Sequence, residues 1–175
     1  MPTLRAVAAS AVLLSSSAAW CAEASDPPPV RSHWWEPEAM VLYGGSYGLR
    51  VPHQPNELMV AVELRTWSFF WYLHLMSGLL GAGDGSGYFY VGLTLDFPVD
   101  LLHFLVSFSP GLYNGGAHHD LGYPLIFRSA AEISLTIVHG VGLGVAFSHM
   151  SNGRLATRNS GVETLCATLT FAVGP

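Results

Sequence analysis

The sequence predicts an all-β fold: an eight-stranded antiparallel transmembrane β-barrel of the outer-membrane type. Three observations predict it. The 175-residue chain is charge-poor and apolar, with 11% charged residues and a mean hydropathy of +0.37, whereas a soluble domain carries roughly 25% charged residues. Beyond the N-terminal region no run of ~18 uninterrupted apolar residues occurs, which argues against a helical membrane span. From Ala39 onward about eight strand-like stretches follow one another, an even number that matches the smallest single-chain barrels. The length suits one domain. A net charge of −5 without any basic cluster argues against nucleic acid as a partner.

Residues 1–24 read as a secretory signal. Arg5 supplies the positive start, Ala6 to Leu14 the apolar stretch, and Ala22-Glu23-Ala24 a small-x-small cleavage site. Residues 25–38, proline-rich and then polar, read as a leader, and 39–175 as the barrel. Cys21 invites a lipoprotein reading, but the bulky Trp20 before it argues against lipidation. If Cys21 leaves with the signal, Cys166 is a single thiol, able to form neither an internal disulfide nor a CxxC site, and is expected as a packed side chain.

The strands are expected over 39–49, 57–67, 69–80, 87–97, 101–113, 122–137, 141–151 and 161–173. In the second, Leu58, Val60, Val62 and Leu64 share one face while Glu63 and Arg65 share the other. In the sixth, Leu125, Phe127, Ile133, Leu135 and Ile137 oppose Arg128, Glu132, Ser134 and Thr136. Apolar outside and polar inside at period two is what a lipid-embedded barrel demands. A soluble barrel would turn the apolar face inward, and periodicity alone does not separate the two.

The connections Trp67-Ser68-Phe69, Pro98-Val99-Asp100 and Val138-His139-Gly140 are short. Those over 51–56, 81–86, 114–121 and 152–160 are longer. Alternating tight and long connections is the habit of outer-membrane barrels and puts the 152–160 loop on the outer side. Val138-His139-Gly140 fits a three-residue hairpin with Gly140 in the left-handed position. It would pair Ile137 with Val141, Leu135 with Leu143 and Ile133 with Val145.

The chemistry-bearing segment closes the seventh strand. His149 and Ser151, two apart, point the same way on a strand, with the parity of Val141, Leu143, Val145 and Phe147. Glu163 shares parity with Leu165, Leu169 and Phe171, and the folded hairpin brings it beside His149 and Ser151. Ionisable groups on a lipid-facing wall are costly to keep without a use. The chemistry such a trio supports is acyl transfer: His149 deprotonates Ser151, which attacks an ester carbonyl, and Glu163 fixes the imidazole tautomer. Asn152 and the Gly153 amide are candidates for the oxyanion. A bland reading stands beside this one, since Ser and His near a strand end are commonly loop-facing polar residues.

The C-terminal half resembles the lipid A 3-O-deacylase (PagL) family. The resemblance runs from Ser109-Pro110-Gly111-Leu112-Tyr113 through Asp120-Leu121-Gly122 and Phe127-Arg128-Ser129, and is sharpest at His149-Met150-Ser151-Asn152, Asn159-x-Gly161 and Glu163. It implies Ser151 as nucleophile, His149 as base, Glu163 as orienting acid and Asn152 as oxyanion contributor. It also implies removal of the ester-linked 3-hydroxyacyl chain at the 3-position of lipid A in lipopolysaccharide, in the outer leaflet of a Gram-negative outer membrane, with no metal or other cofactor. Ser160 stands where the family has proline, and the chain runs past Phe171 to Pro175 instead of ending on an aromatic residue.

Other residues are expected in structural roles: Arg128 and Glu132 paired inside the barrel, His74 and His103 at the core or rim, and Trp67, Trp71, Tyr88 and Tyr90 in interface girdles. His118-His119-Asp120 lacks a clear fourth ligand for a metal, and Asp120 suits a loop turn. Two rival functions remain: a non-enzymatic surface barrel or adhesin, and a secreted soluble barrel carrying an apolar ligand. A homodimer is a further option, because a protein-binding patch reads like a lipid-facing one.

Overall fold

A computed structural model describes residues 37–49 and 54–173. Its eight strands are β1 (Pro37–Leu49), β2 (Glu57–Thr66), β3 (Leu73–Ala82), β4 (Gly87–Val99), β5 (Leu102–Asn114), β6 (Leu125–Val138), β7 (Val141–Ser151) and β8 (Val162–Ala172). Each pairs antiparallel with its sequence neighbour, and β1 with β8 closes the barrel. The expected signal over 1–24 lies outside the described residues, as does the leader over 25–38 except for Pro37 and Glu38, which open β1.

Two expected strand starts move by three residues or more. The third strand begins at Leu73, because 67–72 forms a turn closed by Leu73 N–H donating to the Phe70 carbonyl at 2.9 Å, with Trp71 at φ +49°. The sixth begins at Leu125, because Gly122 takes φ +77° and Pro124 has no N–H to give a ladder. The alternation of short and long connections consequently holds only in the C-terminal half, where 100–101 and 139–140 alternate with 115–124 and 152–161. In the N-terminal half the turn over 67–72 is longer than the loop over 83–86.

The β6–β7 hairpin keeps Leu135 opposite Leu143 and Ile133 opposite Val145, with Gly140 at φ +79°. The expected Ile137–Val141 pair is replaced by Val138–Val141, with a register shift between Thr136 and Val138. The shift absorbs the extra residue, as a bulge does beside a tight turn.

Side-chain parity divides the wall as a lipid environment requires. Leu58, Val60, Phe89, Val106, Ile133, Leu143, Val145 and Phe147 are exposed on the outside. Glu63, Arg65, Thr94, Arg128, Glu132 and Thr168 are buried in the lumen. A continuous apolar exterior of this extent is foreign to a soluble monomer, and a charged lumen overturns the soluble-carrier arrangement. Tyr88 and Tyr90, expected in the girdle, belong to the inward parity of β4: they are 2% and 1% exposed, while Phe89 and Val91 face out. Trp71 is 74% exposed at the turn end, as an interface aromatic would be.

Eight strands enclose only enough space for side chains, and two acids and two arginines fill the middle of it. Arg65 bridges Glu63 (2.8 Å) and Glu132 (2.7 Å) and donates to the Tyr43 hydroxyl at 2.8 Å. Arg128 meets Glu63 at 3.6 Å and lies over the Tyr43 and Tyr90 rings. The expected Arg128–Glu132 pair does not form. Four residues along a strand span about 13 Å, so each charge finds its partner across the lumen on β2 instead. Below the plug, at the end carrying the tight turns, His74 pairs with Glu38 at 3.2 Å and His103 with Asp96 at 3.0 Å. Both line a cavity of about 200 Å³, which makes them rim histidines as expected.

Candidate active site

On β7 the residues alternate between lumen and exterior: Ser148 and Met150 are buried, whereas His149 faces out. His149 lies directly opposite Glu163 on β8 and Ser129 on β6. Directly opposed antiparallel residues hold their Cβ atoms within roughly 5 Å, and the imidazole Nδ1 stands 3.3 Å from Glu163 Oε1. About half of the His149 side chain is exposed, against 23% for Glu163. Behind the pair, inside the barrel, the Ser148 and Thr164 hydroxyls share a 2.7 Å hydrogen bond that ties the same two strands.

Ser151 ends β7 on the same outward parity and is partly exposed, opposite Phe127. Among the described residues no hydrogen bond joins its hydroxyl to His149. The two side chains are next-nearest neighbours along one strand, so a rotation of the seryl χ1 sets their separation. Gly161 confines the imidazole from the loop side. It has φ +64°, and a Cβ placed there would stand 2.9 Å from His149 Cε1 and 3.6 Å from Nε2.

The structure gives Asn152 a different position from that expected of an oxyanion donor. Its side chain is fully buried, its amide donates to the carbonyls of Leu121 (2.8 Å) and Arg158 (2.6 Å), and its Oδ1 accepts from Arg154 N at 2.9 Å. Its backbone N–H donates to Asn159 Oδ1 at 3.1 Å. With every polar group engaged, Asn152 knits the 152–161 loop to the 115–124 loop. Gly153, exposed at φ +59°, is the other expected oxyanion group.

Sequence reasoning missed how the 115–124 loop is anchored. The side chains of His119 and Asp84 are both buried and meet at 3.0 Å, and Asp84 also accepts from Ser86 N, the Ser86 hydroxyl and His119 N. Burial alone would raise the Asp84 carboxyl, but the hydrogen bonds from Ser86 and His119 prevail and hold it at about 2. His118 turns away to Glu57 at 2.8 Å, and Asp120 takes Arg158 at 3.1 Å and Gly122 N at 2.8 Å. The consecutive His-His-Asp residues thus serve three separate contacts, and Asp120 does form the expected loop turn. Adjacency in sequence could not tell which of them faces in.

A second feature missed from sequence is an apolar trough on the outer wall that ends at His149. On β6 the small Ser129 and Ala131 face out. Ser129 sits between Phe108 and His149, and Ala131 between Val106 and Phe147, so larger side chains rise on both sides. The trough continues past Leu93 and Leu95 towards Leu73. The signal lay in the outward parity of two small residues within an otherwise bulky face.

The shape recurs in solved membrane barrels. The chain is similar to the crystal structure of the outer membrane enzyme PagL, with 18% identity, a TM-score of 0.58, and coverage of 77% of this chain and 99% of that one. It is similar to a de novo designed transmembrane β-barrel, at 13% identity and a TM-score of 0.56, over 79% and 98% of the two chains. Neisserial surface protein A gives 9% identity and a TM-score of 0.55, over 77% and 95%. At these identities the likeness concerns the fold. Comparison with curated proteins finds no match. Residues 43–172 match the family described as lipid A 3-O-deacylase (PagL), a span that takes in the second half of β1, all of β2 to β8, and both site-bearing loops. An outer-membrane barrel that carries His149, Ser151 and Glu163 on its exterior, this chain belongs to the lipid A 3-O-deacylase (PagL) family.

Proposed function

We propose that this barrel hydrolyses the ester holding the 3-hydroxyacyl chain at the 3-position of lipid A, with Ser151 as nucleophile, His149 as general base and Glu163 as the acid that orients it. The observation that carries the proposal is the His149–Glu163 contact on the outward wall, at 3.3 Å, where an apolar trough ends. The trough would take the acyl chain from within the leaflet and hold the ester at the end of β7. Nothing in this arrangement requires a second barrel, so a homodimer forms no part of it.

In the first step His149 Nε2 accepts the Ser151 proton as Oγ attacks the ester carbonyl, and Glu163 on Nδ1 stabilises the imidazolium. Serine–base contacts are commonly loose until substrate is bound, so a χ1 rotation of Ser151 is expected on binding. The Gly153 amide is the available expected donor for the oxyanion; the Asn152 carboxamide, already engaged, acts instead by holding the loop. Collapse breaks the ester bond, and His149 returns the proton to the departing sugar 3-oxygen. Water, deprotonated by His149, then cleaves the acyl-serine to a 3-hydroxy fatty acid and restores Ser151.

The test is a single-enzyme assay. The purified barrel in non-ionic detergent is incubated with lipopolysaccharide, and free 3-hydroxy fatty acid is quantified by gas chromatography and mass spectrometry. Release by the parent and its loss with His149→Ala is the expected result. Failure of the folded parent to release any acid from lipopolysaccharide that carries the ester contradicts the proposal.

A further inference from the structure

All seven basic residues of this chain are arginines, and four of them lie in the described part. Arg65 and Arg128 are spent on the lumen acids, and Arg158 on Asp120 at 3.1 Å. Arg154 alone among the described arginines has no carboxylate partner, and it is exposed. It sits three residues beyond Ser151 in the loop that follows the end of β7.

Its backbone is held in a costly conformation. Arg154 has φ +68°, the left-handed region that a long L side chain seldom occupies. The buried Asn152 imposes it: Asn152 Oδ1 accepts from Arg154 N at 2.9 Å and its carbonyl from Leu155 N at 3.0 Å. Such strain persists where surrounding structure over-determines it, often at ligand clamps. The neighbouring Leu155 is 51% exposed, which suits the boundary between acyl chains and headgroups. Arg154, Leu155, Thr157 and Asn159 line one shallow concavity, so the guanidinium edges a recess instead of a convex tip.

We propose that Arg154 binds a phosphate monoester on the sugar headgroup of the glycolipid substrate, and so sets the enzyme's preference for phosphorylated over dephosphorylated lipid. The assignment rests on the esterase reading for its substrate. Ester carbonyls of a glycolipid lie just below its headgroup, and the site follows that order: Ser151 at the strand end, Arg154 further out in the loop. A guanidinium presents a planar fork of donors that matches phosphate oxygens, and this one gives up no ion pair to do so. The contact would be made equally in ground and transition states, so it appears in KM and not in kcat.

The test compares a phosphorylated 3-O-hydroxyacyl glucosamine lipid with the same lipid after phosphatase treatment, in non-ionic micelles. The parent should favour the phosphorylated form by about ten-fold in kcat/KM, the worth of one modest charge-assisted contact. Arg154→Gln should reduce that ratio to about one by raising KM for the phosphorylated form, and Arg154→Lys should recover part of it. A ratio unchanged by Arg154→Gln, or an equal loss on both lipids, overturns the assignment. Binding separates it from the esterase reading. Calorimetric affinity of Ser151→Ala for the phosphorylated lipid should fall about ten-fold when Arg154→Gln is added, whether or not the parent cleaves. Unchanged affinity overturns the phosphate site alone. Absent cleavage by the parent, with the affinity change intact, overturns only the esterase.

Discussion

Replacing Gly161 with alanine puts the proposed base under a calculable load. The added Cβ would stand 2.9 Å from His149 Cε1, where ordinary contact begins near 3.4 Å, so the imidazole must retreat by about half an ångström. The alanine would also have to hold φ +64°, at about 1 kcal/mol. A 1 Å misplacement in a catalytic constellation can cost about a hundred-fold in rate, so half that displacement should cost about ten-fold. The loss should fall on kcat, because the imidazole acts in the chemical step, while KM changes little. The assay is the initial rate of 3-hydroxy acid release over a range of lipopolysaccharide concentrations. Gly81→Ala is the matched control, since a Cβ at that position of β3 meets nothing within 4 Å and its φ is not positive. Full kcat in Gly161→Ala, or an equal loss in Gly81→Ala, would refute the reasoning.

Other perturbations separate the site from its scaffold. Glu163→Gln keeps the shape but removes the charge beside Nδ1; because the pair is partly exposed and its contact long, kcat should fall by about ten- to hundred-fold, less than for a buried triad acid. Ala131→Phe should fill the trough between Val106 and Phe147, and kcat/KM should fall most for the longest acyl chains in a series of defined substrates. Arg65→Met leaves Glu132 without a cation in the lumen, and Glu63 with Arg128 alone, and should cost about 3–5 kcal/mol, read as a lower urea midpoint on gels that resolve folded from unfolded barrel, with kcat retained. Asp84 has a folded pKa of about 2 against an ordinary 3.8, so its contribution is present above pH 4 and is lost as pH falls towards 2. Asp84→Asn should therefore lower the urea midpoint at pH 6 and flatten its fall between pH 4 and 2.

Period-two alternation sorted the residues of each strand into two faces, because a strand's faces are set by the chain itself; which face meets lipid came from the closed barrel, whose lumen holds the charges. Leu58, Val60, Val62 and Leu64 share the outer face and Glu63 and Arg65 the lumen for that local reason. The same parity brings His149, Ser151 and Glu163 to one outer patch, and the register then sets His149 against Glu163. Partners across the lumen depend instead on how the strands tilt and stagger to close the barrel. Arg128 therefore meets Glu63 on β2, a pairing invisible in its own strand. Tyr88 and Tyr90 illustrate a related limit, since aromatic residues near a strand end suit either the girdle or the lumen and only parity decides. Asn152 is the sharpest departure. Its place next to Ser151 suggests an oxyanion donor, but the carbonyls of Leu121 and Arg158 arrive from other parts of the loops and claim its amide. The surface-barrel alternative has no use for a groove ending on a histidine–carboxylate pair, and that juxtaposition favours the enzyme.

The most direct measurement is mass spectrometry of lipid A from Gram-negative cells that express this chain or its Ser151→Ala variant at equal outer-membrane levels. The account predicts loss of one 3-hydroxyacyl chain from the 3-position with the parent and intact lipid A with the variant. Intact lipid A in both, in a strain whose lipid A carries that ester and is known to be cleavable, would contradict it.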